Sequence, residues 1–440
     1  MKKVLVLGAG LVSKPLVDYL LNQPDFHVTV ASRTVSKAER LVGDHPRGKA
    51  LPLNVTNTDE LKSLISDTDL AISLVPYAHH VTVANLCIEL KKQMVTTSYV
   101  SAAMKELDQK AKDAGVLILN EIGLDPGIDH MSAMRIIHGV QNKGGRIASF
   151  FSYCGGLPAP EANTNPWGYK FSWSPRGVVM AGKNPGRYLK DKKEIKVASE
   201  DLFGHFWPMN VEGVPPLEAY PNRDSIPYLE VYGITDADSM YRGTFRYPGW
   251  CQTLKKVVDL GMLDETEQEV KGLSYADFMW MLMKKNKGDN LKKTLADHLK
   301  IDEDSEPIKR FEWLGLLGDD VIPTEKSSPL DVFADRLLEK LKYEEGERDM
   351  IVLHHDFRAE YPGGKKEQIT STLVDYGIPN GDSSMSRTVG LPAAIGAALI
   401  LNGKIKDTGV HIPVKPTIYE PALDELEKLN IVCKEKSQPL

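Results

Sequence analysis

Apolar, β-rich runs recur through the first third of the chain, at Val4–Leu7, Val28–Ala31, Ala50–Leu53, Leu70–Val75, Met94–Thr97 and Val116–Leu119. Segments with helical apolar spacing separate most of them: Ser36–Val42, Thr58–Ile65, His80–Leu90 and Ala102–Ala114. Strands and helices alternating at this length predict a doubly wound parallel sheet, and six strands suit the Rossmann order. After about residue 130 the pattern changes. Strand-like runs at Ile147–Tyr153, Tyr228–Tyr232, Thr244–Tyr247, Met350–Phe357 and Gln368–Val374 lack regular intervening helices, which predicts a mixed, largely antiparallel sheet. From Cys251 to Tyr343 the pattern is helical and charge-rich, anchored by Trp280 and Trp313. Val389–Leu401 is apolar on nearly every face and must be buried.

The expected fold class is therefore α/β. An N-terminal Rossmann doubly wound parallel sheet is assigned to residues 1–130 with 388–440, as a discontinuous nucleotide-binding domain. A second α+β domain with a mixed sheet takes 131–250 with 344–387, and a small helical subdomain takes 251–343. A length of 440 residues is too great for one ordinary core.

The first strand runs into Gly8-Ala9-Gly10-Leu11-Val12-Ser13, and an apolar-periodic helix follows with Leu16, Val17, Leu20 and Leu21. This is the dinucleotide fingerprint G-x-G-x-x-(G/A), with Ser13 in the third small position. Gly8 permits the tight turn, Gly10 lets backbone approach a pyrophosphate, and the helix start offers free N–H groups to that anion. The end of the second strand selects the cofactor. An acid there bonds the ribose 2′-hydroxyl in NAD enzymes. Here the sequence is Ser32-Arg33-Thr34. Arg33 pairs with a 2′-phosphate and the hydroxyls of Ser32 and Thr34 add donors, which predicts NADP(H).

A net charge of −6 argues against a nucleic-acid partner. Four scattered cysteines, Cys87, Cys154, Cys251 and Cys433, suit a reducing compartment and form no zinc pattern. The pairs His79-His80 and His354-His355 lack further ligands, so no metal is expected. Val389–Leu401 is short for a membrane span and holds Gly390, Pro392 and Gly396. A cytoplasmic protein with no membrane partner is expected. An exposed edge on the second sheet is expected to support a homodimer.

Three further segments are too irregular for plain scaffold: Val95–Tyr99 at a strand end, Asn120–His130 after the sixth strand, and the glycine–proline loop Tyr153–Pro160. Each alone also reads as ordinary turn chemistry. Together with the glycine turn, Ser32-Arg33-Thr34, Tyr169–Ser174, Tyr220–Ser225 and Arg242–Tyr247, the chain resembles the saccharopine reductase family, the NADP-dependent, glutamate-forming saccharopine dehydrogenases. The segments run in the family's order over essentially the whole chain.

That resemblance implies a reversible reaction of lysine metabolism. The imine of 2-aminoadipate 6-semialdehyde and L-glutamate is reduced by NADPH to saccharopine. A substrate with three carboxylates needs fixed cations, and Arg223 and Arg246 match arginines that bind saccharopine in the family. Ser98, Thr244 and Phe245 are implied to support the same substrate. Asp125 and Tyr99 are the candidates nearest the reacting nitrogen, with Cys154 close by. Hydride transfer needs no protein nucleophile, so positioning and electrostatics are expected to dominate. The family's cofactor contacts carry over to Gly8, Ala9, Gly10, Leu11 and Val12, to Ser32, Arg33 and Thr34, to Asn54, Val55 and Val75, to Thr97 and Ser98, to Leu124, Asp125 and Pro126, and to Ser174. Asn54 departs from the Asp usual in fungal members, and Ser13 from the usual Ala or Gly. His130 reads as a helix-start or packing residue. Two alternatives stay open: a related imine-reducing enzyme such as carboxynorspermidine dehydrogenase, and a protein that senses NADP without turnover.

Overall fold

In the computed structural model, which describes residues 1–173 and 175–440, the chain opens with alternating strands and helices. The strands are β1 (Lys2–Leu7), β2 (Phe26–Ser32), β3 (Gly48–Pro52), β4 (Leu70–Ser73), β5 (Gln93–Thr96) and β6 (Leu117–Leu119). Between and after them lie α1 (Ser13–Leu21), α2 (Val35–Val42), α3 (Thr58–Ser66), α4 (His80–Glu89), α5 (Ala102–Lys105), α6 (Asp108–Ala114) and α7 (Ile128–Gln141). The single helix expected over Ala102–Ala114 is two. Ser101 caps the first through the Met104 N–H, and the second starts at Asp108, whose carboxylate accepts from the Val410 N–H. Next come β7 (Arg146–Pro158), β8 (Gly186–Lys190), β9 (Lys193–Val197), β10 (Trp207–Met209), β11 (Leu217–Pro221), β12 (Ser239–Arg246), the short pair β13 (Gln268–Glu269) and β14 (Lys326–Ser327), and β15 (Asp349–Glu360). The last strands are β16 (Lys366–Tyr376), β17 (Gly409–His411) and β18 (Lys434–Pro439).

The chain divides into two compact units, residues 1–147 with 359–440 and residues 148–358. In the first unit the parallel sheet has the order β17-β6-β5-β4-β1-β2-β3. The expected six strands keep their Rossmann order, and β17 adds a seventh by pairing in parallel with β6. Side chains alternate across the sheet, so one strand feeds two cores. Val4 and Val6 pack with α1 residues on one face, and Leu5 and Leu7 pack with residues of α3 and α4 on the other.

The helix Ser384–Leu401 belongs to the first unit, and it is long and apolar enough by composition alone to cross a membrane. Its 18-residue window is 78% buried in this core. Gly390 lets it lie against the glycine turn: a Cβ there would stand 2.6 Å from the Val12 carbonyl oxygen. Bulk at residue 390 would press on the backbone that starts α1.

In the second unit, strands run in the order β10-β11-β12-β7-β15, with the β8–β9 hairpin joined to β12. The sheet is mixed, because β12 runs parallel to β7 and antiparallel to β11. Helices at Trp250–Asp259, Tyr275–Met283, Leu291–Leu299, Glu306–Leu314 and Pro329–Lys340 bury one apolar cluster around Trp167, Trp250, Phe311 and Phe333. The strand expected at Tyr228–Tyr232 is instead a short helix, Tyr228–Val231. Pro227 takes helical angles just before it, and a turn that starts at Ser225 supplies backbone bonds that a strand would have needed from a neighbour.

Candidate active site

The first unit presents a turn suited to a pyrophosphate. Gly8 has φ +115°, and a Cβ there would meet the Leu74 carbonyl oxygen at 2.8 Å, so the fold itself requires glycine. Gly10 differs. A Cβ would meet nothing within 4 Å, so the protein's own packing does not demand glycine there, whereas a closely approaching ligand would. Ser13, buried in the third small position, ties the turn shut. Its hydroxyl accepts from the Gly10 N–H at 3.1 Å and donates to the Gly8 carbonyl at 3.4 Å. Helix α1 has no side-chain cap and no acid in its first turn, which leaves its positive end to an anion. Leu11 is 69% exposed beside it, and Ala9 and Val12 are half-buried.

At the end of β2, Arg33 and Thr34 are exposed and Ser32 is half-buried, with the Ser32 hydroxyl accepting from the Thr34 N–H. Arg33 has no ion pair among the described residues. Asn54 is exposed, and its side-chain oxygen closes a local turn with the Thr56 N–H. Val55 and Val75 are half-buried at the same strand ends as their neighbours Leu53 and Leu74. These residues fit a phosphorylated dinucleotide: a bare glycine, an uncapped helix and an unpaired cation.

Residues 121–130 form a hook into α7. The Gly123 N–H donates to the Pro126 carbonyl, the Ile128 N–H to the Gly123 carbonyl, and the Gly127 N–H to Asp129 Oδ1. Gly127 has φ +149°, and a Cβ on it would overlap Gly123. Of these ten residues only Asp125 is not buried; Leu124 and Pro126 beside it are. Tyr99 donates its hydroxyl to Asp125 Oδ1 at 3.2 Å, so two of the predicted residues meet. A buried strap underlies them. Glu121, in a left-handed conformation at φ 55°, accepts from the Val100 N–H through Oε1 and pairs with His130 Nε2 at 2.8 Å through Oε2. The strap ties the Tyr99 turn to the start of α7. His130 is thus more than the packing residue expected, and Glu121 was missed, because nine residues of sequence hide their meeting.

A second buried connection reaches Ser98. His80 lies between two serine hydroxyls, with Nδ1 at 2.8 Å from Ser73 and Nε2 at 2.8 Å from Ser98. Thr97 is half-buried next to it and packs against Gly123. In the sequence His80 stands out only as half of a histidine pair.

The second unit gathers another group of predicted residues. Cys154 on β7 is the register partner of Thr244 on β12, and Phe245 and Arg246 follow on that strand. Phe245 is buried and stacks on Tyr153, while Thr244 is half-buried. Arg246 is 5% exposed. Its guanidinium lies over the rings of Tyr169 at 5.1 Å, Trp250 at 5.4 Å and Tyr220 at 6.0 Å. It donates to the Phe245 carbonyl at 2.7 Å, its Nε is buried without an acceptor, and no carboxylate pairs with it among the described residues. A buried cation in an aromatic cage with an unanswered donor is a site for an anionic oxygen. Arg223 has the opposite setting. It is exposed, in a left-handed conformation at φ 58°, beyond β11. Non-glycine residues rarely take that conformation without a local reason. Ser174 lies outside the described residues.

Comparison with known proteins gives consistent matches. A family model described as "Saccharopine dehydrogenase NADP binding domain" matches residues 4–119, and one described as "Saccharopine dehydrogenase C-terminal domain" matches 123–431. The saccharopine dehydrogenase (NADP(+), L-glutamate-forming) of Saccharomyces cerevisiae is 43% identical over 445 residues, 99% of each chain. The protein of the same description from Schizosaccharomyces pombe is 40% identical, again over 99% of each. The mitochondrial alpha-aminoadipic semialdehyde synthase of Rattus norvegicus is 40% identical over 99% of this chain and 48% of its own. A solved structure described as apo histidine-tagged saccharopine dehydrogenase (L-Glu forming) from Saccharomyces cerevisiae superposes with a TM-score of 0.91 at 41% identity, covering all of both chains.

Proposed function

We infer what this chain does from the premise that it belongs to the saccharopine dehydrogenase family. It is an NADP-dependent oxidoreductase of lysine metabolism acting on the C–N bond of saccharopine. Oxidation of that secondary amine gives an imine, and water splits the imine into L-glutamate and 2-aminoadipate 6-semialdehyde. The reverse sequence forms saccharopine. The single observation that carries the residue-level reading is Arg246, a buried guanidinium that no carboxylate pairs with among the described residues.

The nicotinamide cofactor, when bound, supplies the hydride chemistry. The chain's residues bind and orient. The glycine turn and the start of α1 hold the pyrophosphate, and Arg33 with Ser32 and Thr34 holds the 2′-phosphate. Arg246 takes one substrate carboxylate in its aromatic cage, supported by Thr244 and the Phe245 backbone. Arg223, exposed and able to form two parallel bonds, takes another. Asp125 stabilises positive charge at the imine nitrogen, and Tyr99 orients that carboxylate by donating to it. Cys154, the register partner of Thr244, is assigned a tuning role. The four free, buried cysteines support a cytoplasmic location. The exposed strand β18 supports a homodimer, which analytical ultracentrifugation tests.

The test of function is direct. Pure protein is mixed with saccharopine and either NADP⁺ or NAD⁺, and reduced-nicotinamide absorbance and glutamate are followed. Fast NADP⁺ reduction with glutamate as product is expected. No reduction of either cofactor would overturn the assignment and favour the polyamine-type or sensing alternatives.

A further inference from the structure

Ser73, His80 and Ser98 form a continuous hydrogen-bonded chain. Ser73 ends β4, and its side chain is fully buried. Among the described residues the imidazole is the hydrogen-bond partner of its hydroxyl. The Ser73 carbonyl is already occupied, accepting from the Thr96 hydroxyl at 2.8 Å. That Thr96 oxygen in turn accepts from the Ser98 N–H at 3.4 Å. The backing of Ser98 is therefore tied to two strands.

A buried hydroxyl proton left without an acceptor is costly, on the order of 1–3 kcal/mol. If Nδ1 carried the proton, it would donate to Ser73 and leave the Ser73 proton with nothing to bond. The alternative satisfies Ser73 and both ring nitrogens. Ser73 donates to a bare Nδ1, Nε2 carries the proton, and Nε2–H donates to Ser98 Oγ. The ring is neutral in this arrangement, in keeping with burial, which, with His79 beside it, holds the imidazole down to about 4. Ser98 then accepts from behind, and its own O–H points away from His80. Ser98 is only half-buried, which leaves that proton available to a ligand.

We propose that His80 is a positioning residue that turns the Ser98 hydroxyl outward as a hydrogen-bond donor to a carbonyl or carboxylate oxygen of the bound ligand. The proposal rests on the reading of Ser98 as a ligand-facing residue. Two ligands carry such an oxygen: the cofactor through its carboxamide, and the substrate through a carboxylate. An arrangement with the opposite tautomer would make Ser98 an acceptor and would repel either oxygen.

The tautomer is read on the unaltered protein, labelled with nitrogen-15 in its histidines, by imidazole NMR near neutral pH. The His80 signals are assigned by their loss in His80→Gln. A bare Nδ1 and a protonated Nε2 are expected, and a proton on Nδ1 overturns the proposal. Kinetics supply the second readout. His80→Ala and Ser73→Ala should each raise KM about tenfold for one ligand while kcat stays within about twofold, the size expected for one lost donor. A rise confined to NADP⁺ assigns the oxygen to the carboxamide, and one confined to saccharopine assigns it to a carboxylate. His80→Gln, whose terminal amide reaches the Nε2 position, should restore KM to within about threefold. Unchanged KM for both ligands in folded His80→Ala overturns the proposal. The NMR result does not depend on turnover, so failure of saccharopine oxidation and failure of this inference are separately visible.

Discussion

Arg33 and Arg246 are both assigned to anions, yet the two units hold them in opposite ways. Arg33 stands exposed at the end of β2. Arg246 lies 5% exposed on β12, walled by Tyr169, Tyr220 and Trp250. An exposed cation meets its partner through a high dielectric and is screened by salt. A buried one has given up its hydration in advance, and the anion that reaches it recovers much of that cost. Cofactor choice should therefore be gradual and salt-sensitive, whereas substrate capture should be close to all-or-none.

The largest expected effect tests the buried side. Arg246→Met should lower kcat/KM for saccharopine about a thousandfold, since losing one member of a desolvated charge contact costs on the order of 4 kcal/mol. The melting temperature should hold or rise, because an unpaired buried charge is replaced by an apolar chain of similar length. An unchanged kcat/KM would remove Arg246 from the site.

His80 sharpens the contrast, because it answers burial by staying neutral where Arg246 stays charged. Its imidazole is pushed from 6.5 to about 4 in the folded protein, chiefly by desolvation. The unfolded chain binds this proton below about 6.5 and the folded chain only below about 4, so protons favour unfolding between those values. Stability should fall by about 3 kcal/mol as pH drops through that window and level off below it. Denaturant melts of the wild type and His80→Gln at several pH values check this, with the slope expected to shrink in the variant. An identical slope in both would show that His80 does not control it.

Asp125→Ala should lower kcat/KM for saccharopine about thirtyfold, roughly 2 kcal/mol, without loss of NADPH binding by fluorescence titration. A full loss of activity would make Asp125 an obligate proton carrier instead of an electrostatic support. The smallest effect is expected on the exposed side. Arg33→Ala should raise KM for NADPH about tenfold, roughly 1.4 kcal/mol, and leave KM for NADH nearly unchanged. Added salt should shrink that difference. Equal effects on both cofactors would make Arg33 a surface charge with no part in selection.

Legibility in the sequence followed how local each interaction is. Period-2 and period-3.6 patterns, together with the glycine turn, show the strands and helices of the first sheet, because each is set by residues a few positions apart. The same logic misled at Tyr228–Tyr232, where aromatic and β-branched composition suggested a strand and the preceding turn made a helix. It also treated Ala102–Ala114 as one helix, since nothing nearby announces that Asp108 bonds Val410, three hundred residues away.

Taken alone, the sequence determined the cofactor class, the order of the first six strands, and which residue types stand at the strand ends. Those follow from backbone sterics, alternation of side chains and the chemistry of single residues. Only the fold in three dimensions shows that Arg246 is caged by aromatic rings, that Glu121 meets His130, and that His80 stands between Ser73 and Ser98. Burial and partner choice depend on distant segments brought together by packing. No local pattern encodes whether a charged or titratable group has lost its water.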